Sequence, residues 1–140
     1  MFPVTTRILL VEDMTSIRSW EKMQLEKLGF NEIFEAVNGK EALDILEKLF
    51  QENRPVNLIL SDWRMPELDG LGFFKILQEK EYLEKIPFIM ITAESETPLV
   101  LQALGAGVVY YMTKPFSAEN LQKKLEIMWK DIVQKTPFPS

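Results

Sequence analysis

Five polar residues sit at the ends of apolar runs in this chain: Glu12 and Asp13 follow Ile8–Val11, Asp62 follows Leu58–Leu60, Thr92 follows Phe88–Ile91, and Lys114 comes just after Val108–Met112. Protein interiors accept an unpaired carboxylate almost nowhere, so an acid that closes an apolar strand needs a partner. Three clustered carboxylates repel one another and stay ionised together only around a cation. Hard oxygen donors favour Mg²⁺, which takes one or two carboxylates, often a backbone carbonyl and several waters, and leaves positions for phosphate oxygens. Asp13 and Asp62 are the best direct ligands, with Glu12 as an outer one. A carboxylate beside such a cation and an ammonium can attack phosphorus and form an aspartyl phosphate. Thr92 and Lys114 would then bind the phosphoryl oxygens by hydrogen bond and charge. Singly, Asp and Thr are common turn and cap residues, and a lone lysine is usually solvated; their joint placement at strand ends carries the reading.

The elements that must position these residues are legible in the spacing. Strands are expected at Ile8–Val11, Ile33–Val37, Leu58–Leu60, Phe88–Ile91 and Val108–Met112, with helical periodicity between most of them. The first helix is predicted from about Thr15 to Leu28, stopping at Gly29, with Ile17, Trp20, Met23, Leu25 and Leu28 as its apolar positions. The second runs from Gly39 into Glu52, the third over Leu71–Glu79, the fourth over Pro98–Leu104, and the fifth follows Ser117 as N-cap with Leu121, Leu125, Met128 and Ile132 along one stripe. Such alternation implies an α/β fold, a doubly wound parallel sheet with helices on both faces, because parallel strands need right-handed crossovers. The runs ILLV, LIL and FIMI are continuous rather than alternating, as in a sheet buried on both sides. In open sheets of this kind ligands bind beyond the carboxyl ends of the strands. That edge is where the five polar residues fall.

Composition excludes much else. The chain has 140 residues, 46% hydrophobic, with no cysteine and no histidine. One domain is expected, and thiol, imidazole-triad and Cys/His zinc chemistry are excluded. The net charge of −5 gives no electrostatic reason to expect nucleic-acid binding. No secretory leader and no apolar run of membrane-spanning length is visible, so a cytoplasmic location without membrane contact is expected. After the fifth helix only KTPFPS remains, so no output domain is expected within residues 1–140. The Gly-Ala-Gly at 105–107 lacks the Gly-x-x-x-x-Gly-Lys-[Ser/Thr] pattern and is not a phosphate loop.

From about Arg7 to Ile132 the chain resembles the receiver domains of two-component response regulators, and among them the single-domain, CheY-like chemotaxis regulators. The motifs are ILLVEDMTSIR, ILSDWRMPELDG, IMITAE and YYMTKPF. The resemblance implies a five-stranded flavodoxin-like sheet of order 2-1-3-4-5 and five helices. It implies that Asp62 accepts a phosphoryl group from a CheA-like sensor histidine kinase, and that Asp13, Asp62 and the backbone carbonyl of Arg64 bind Mg²⁺ with Glu12 behind them. Thr92 and Lys114 would engage the phosphoryl group, and the Lys114-Pro115 bond would be cis. Tyr111 would turn inward when Thr92 moves, switching a surface built from the fourth helix, fifth strand and fifth helix. A flagellar motor switch protein or a phosphatase would be a further partner. Arg64 and Glu94, two residues beyond the acceptor and two beyond the threonine, would flank the entrance for hydrolytic water and tune the lifetime of the phosphoryl group.

Other classes are weaker. A haloacid-dehalogenase-like phosphatase needs a second acid two residues after its nucleophile, where this chain has Arg64, so turnover of an external substrate is not expected. A flavodoxin-like FMN protein needs a Ser-, Thr- and Gly-rich phosphate loop where this chain has Glu12-Asp13. A receiver in a relay other than chemotaxis, or one that works as an interaction module without phosphorylation, is the alternative.

Overall fold

Five parallel strands form one sheet in the order β2-β1-β3-β4-β5, with β1 at Arg7–Val11, β2 at Glu32–Ala36, β3 at Leu58–Asp62, β4 at Phe88–Ala93 and β5 at Tyr110–Lys114. The structure is a computed structural model and describes residues 1–80, 82–93 and 97–135; Glu94 lies outside them. Helices α1 (Thr15–Lys27), α2 (Gly39–Gln51), α3 (Gly70–Gln78), α4 (Thr97–Ala106) and α5 (Ala118–Lys135) make the crossovers. The expected flavodoxin-like α/β architecture is the one observed.

The continuous apolar runs divide by strand alternation, because successive side chains point to opposite faces. Leu9, Val11, Ile59, Phe88 and Met90 pack with α2 and α3, through Leu46, Leu49, Phe73 and Leu77, and with Ala103 of α4. Ile8, Leu10, Leu58, Leu60, Ile89 and Ile91 pack on the other side with Leu25 of α1 and Leu121, Leu125 and Met128 of α5. The central strands β1, β3 and β4 thus sit between two helical layers, whereas the edge strand β5 buries Met112 on one side and leaves Tyr111 exposed on the other.

Helix starts follow local chemistry. The side chains of Asn38 and Asp69 accept hydrogen bonds from Glu41 N and Gly72 N, and Ser117 Oγ accepts from Asn120 N at 3.1 Å, as the N-cap reading of Ser117 requires.

Two expectations are corrected. β5 begins at Tyr110 rather than Val108 and continues to Lys114, and β3 and β4 extend through Asp62 and Thr92, so the reactive side chains belong to the strands themselves. Sheet pairing with neighbours, not apolar content, sets where a strand ends: Asp62 pairs with Ile91 and Thr92 with Thr113. On α1, Leu25 is buried and Leu28 packs on the core as expected, but Trp20 is 44% and Met23 49% exposed, and Glu21 and Gln24 are buried in their place.

Gly70 begins α3 against the site. A Cβ there would strike the backbone carbonyl of Asp62 and stand 3.0 Å from Met90 Sδ and Trp63 Cα. Gly70→Ala is expected to lower stability by about 1–3 kcal/mol, the usual cost of overpacking. Urea unfolding measures it, and an unchanged midpoint would refute this close approach.

Candidate functional site

Sheet order decides which strand ends meet. Val11 pairs with Ser61, so the next residues, Glu12 and Asp62, emerge side by side from β1 and β3. Asp13, exposed, completes the group, and one carboxylate oxygen from each of Glu12, Asp13 and Asp62 lies within 4.8 Å of the others. From the far strand, Lys114 reaches across β4 and bridges two of them, with Nζ 2.7 Å from Glu12 Oε1 and 2.8 Å from Asp62 Oδ1. The peptide bond after it, Lys114-Pro115, is cis, as expected.

Burial sets the electrostatics. Glu12 is fully buried; loss of water pushes its carboxyl up to about 7, against the pull of the Lys114 hydrogen bond. Burial also holds Asp62 above its ordinary value, and Lys114 again opposes the rise. The two carboxylates in turn raise Lys114 despite its own desolvation, so it stays an ammonium. Three carboxylates facing one ammonium remain short of positive charge. A hard divalent cation would suit this donor set, with Asp13 on the exposed side.

Thr92 follows Ile91, the register partner of Asp62, and is 1% exposed; its Oγ1 is buried with no hydrogen-bond partner among the described residues. An orphaned buried hydroxyl is costly and rare. Arg64 is exposed, two residues past Asp62 in the connection to α3. Tyr111 stands apart from the acids, 38% exposed on β5 with Lys124 Nζ 5.7 Å from its ring centre. Glu94, expected opposite Arg64, falls outside the described residues.

Several supporting residues escaped sequence reasoning. Arg18 donates from Nη1 to the Glu12 carbonyl at 2.8 Å and from Nε to Glu35 Oε1 at 3.0 Å, tying α1 to the site and to β2. Trp20 donates its indole N–H to the Phe116 carbonyl at 3.2 Å, and the Gln24 side chain accepts from Ala118 N at 3.0 Å. These bonds hold the connection that follows Lys114. The available signal was the spacing of Glu21, Gln24, Leu25 and Leu28, a one-face helical pattern masked by its two polar members.

Burial, aided by the charges of Glu12 and Asp62, pushes the Glu21 carboxyl up to about 8. Its folded value exceeds the unfolded one, so its burial costs nothing in acid and the penalty grows as pH rises from about 4.5 to about 8. Glu21→Gln is therefore expected to match wild-type stability near pH 4 and exceed it at pH 8 by about 2–4 kcal/mol. Thermal or urea unfolding at both values checks this; an advantage independent of pH would count against it.

Comparison with known proteins agrees with this geometry. A family model described as response regulator receiver domain matches residues 8–126. A chemotaxis protein CheY homolog of Campylobacter jejuni is 38% identical over 120 residues, covering 86% of this chain and 89% of the relative. Chemotaxis protein CheY1 of Helicobacter pylori is 36% identical over 122 residues, covering 87% and 95%. Among solved structures, the receiver domain of sensor histidine kinase PA1611 from Pseudomonas aeruginosa superposes with a TM-score of 0.76 at 28% identity, covering 88% of this chain and 96% of that one. That structure has a magnesium ion coordinated in its active-site cleft.

Proposed function

We propose a function from one premise: this chain belongs to the response regulator receiver family. It is a phosphoacceptor switch of a two-component relay that catalyses only its own phosphorylation and dephosphorylation, not an enzyme acting on external substrates. Asp62 attacks the phosphorus of a sensor-kinase phosphohistidine; the new O–P bond forms as the N–P bond breaks, and the departing imidazole takes up a proton. The observation that carries this reading is Thr92, whose buried hydroxyl has no partner among the described residues, one register step beyond the acceptor. A phosphoryl oxygen on Asp62 supplies that partner, and Lys114 holds a second oxygen by charge.

Asp13, Asp62 and the backbone carbonyl of Arg64 would hold Mg²⁺, with Glu12 behind them. The ion would supply neutralising charge shared between the carboxylates and the phosphoryl oxygens. The test is mass spectrometry after incubation with a small phosphodonor, with and without Mg²⁺. A metal-dependent gain of one phosphoryl group supports the reading, and no gain refutes it.

The names of the relatives favour a chemotaxis pathway; in that reading a CheA-like kinase stands upstream and a flagellar motor switch protein or a phosphatase downstream. Output leaves through the face of α4, β5 and α5. Drawing Thr92 towards the phosphoryl group frees space that the Tyr111 ring can fill, which reshapes the groove beside Lys124. A coupling of about 1–3 kcal/mol, or about 5–150-fold in affinity, is expected. Partner binding with and without beryllofluoride measures it: a shift that persists unchanged in Tyr111→Ala would remove this residue from the switch.

A further inference from the structure

Between α1 and the connection after β5 lies a cavity of about 500 Å³, walled mainly by Ile17, Trp20, Pro115 and Phe116, with Glu21 and Lys114 as its charged residues. The size falls within the range of small-molecule sites, which join apolar walls to a few polar groups. Its wall is preformed, because Trp20 is tied to Phe116 and Gln24 to Ala118 by the hydrogen bonds described above.

The two charged groups differ in what they have left to give. The Lys114 ammonium is engaged by Glu12 and Asp62 at 2.7 and 2.8 Å. Glu21 is 2% exposed, and its Oε1 is buried with no hydrogen-bond partner among the described residues. Such an atom needs an explanation, since buried polar atoms are nearly always paired. The sign of the missing partner follows from the surroundings. Glu12 and Asp62 add negative potential at Glu21 and Lys114 offsets only part of it, so an anionic head is disfavoured and a cationic one favoured. The Trp20 ring already attracts one cation, Lys27 Nζ, 5.8 Å from its centre.

We propose that this cavity binds a small amphipathic amine, whose ammonium donates a hydrogen bond to the Glu21 carboxylate while its apolar body packs on Ile17, Trp20, Pro115 and Phe116. The carboxyl turns about its last side-chain torsion to meet the ligand, bringing the orphaned oxygen to the cavity wall. The site is separate from the phosphoacceptor reading and stands without it.

The test is an NMR titration of the full chain at about pH 9, where the Glu21 carboxyl, pushed up to about 8 by burial, is ionised while a primary ammonium keeps its proton; the probes are phenethylamine, 2-phenylethanol and phenylacetate, which share an aromatic body and differ in the charge of the head. Saturable shifts are expected at the Trp20 indole and the Phe116 amide. The amine should bind at least about tenfold more tightly than the alcohol, because a hydrogen bond between charged groups is the stronger kind. Phenylacetate should not bind. Glu21→Gln should reduce amine affinity about tenfold and leave that of the alcohol unchanged. Equal affinity of amine and alcohol for the wild type, amine shifts centred on Asp13 instead of Trp20, or unaltered amine binding in Glu21→Gln would each overturn the proposal. The first two comparisons use the wild-type chain and do not depend on how the variant folds.

Discussion

Asp62→Asn, incubated with Mg²⁺ and a small phosphodonor, is expected to show no gain in mass, while the wild type gains one phosphoryl group. The substitution keeps the size and planarity of the side chain, so β3 keeps its pairing with β1 and β4. What it removes is the anionic oxygen that attacks phosphorus. It also deletes one of the two carboxylates that Lys114 bridges, so the folded structure should not suffer from added repulsion. Asp13→Ala retains the nucleophile but loses a metal ligand, and phosphorylation should slow by about 10–100-fold, the scale on which metal sites respond to loss of supporting groups. Undiminished labelling in Asp62→Asn would reassign the acceptor; full speed in Asp13→Ala would remove this residue from metal binding.

Lys114→Gln should produce the second large effect, visible in two measurements. The ammonium lies within 2.8 Å of both Glu12 and Asp62, and those acids are almost wholly buried. Removing one partner of a buried ion pair leaves uncompensated charge, typically a loss of about 3–5 kcal/mol; since Lys114 is partly exposed, about 2–3 kcal/mol is expected at neutral pH. The sign of the pH dependence follows from the acids. Burial already raises both above their unfolded values, and without Lys114 they rise further. The deficit should therefore shrink towards pH 5, where Glu12 takes up a proton in the folded state, and widen towards pH 8. Mg²⁺ should restore part of the stability by replacing the lost positive charge. Phosphorylation should fall about 10²-fold, the cost of losing one donor to a developing anion. Wild-type stability throughout this pH range would show that the bridge contributes nothing to folding. Wild-type labelling kinetics would remove Lys114 from phosphoryl chemistry.

Much of this arrangement was legible in the linear chain. Runs such as ILLV and FIMI are buried on both faces because each residue must find apolar neighbours on its own side, and only a sheet between two helical layers supplies them. The acids that close those runs are equally visible, since a carboxylate at the end of an apolar strand has no local reason to be there. Ser117 marks a helix start through a bond to a backbone group three residues away, so its role depends on nothing distant.

Helix α1 was less legible. Counting apolar residues selects Trp20 and Met23, whereas the face that meets the rest of the molecule carries Glu21 and Gln24. A polar side chain can be buried only if a distant group accepts it. Gln24 finds Ala118 N, 94 positions away in the chain, and no local pattern encodes that bond.

The sequence by itself determined the order of strands and helices, the two-sided burial of the sheet, and the residue types presented at its carboxyl edge, because these depend on periodicity and on neighbours within a few positions. Tertiary structure alone decided that Lys114 spans two carboxylates, that the Thr92 hydroxyl is buried without a partner among the described residues, and that Glu21 is sealed beside a cavity. Glu12 and Lys114 are 102 positions apart. Their 2.7 Å contact exists because sheet order and register bring the ends of β1, β3 and β5 together, and the field at each charge depends on how much water the packed helices exclude.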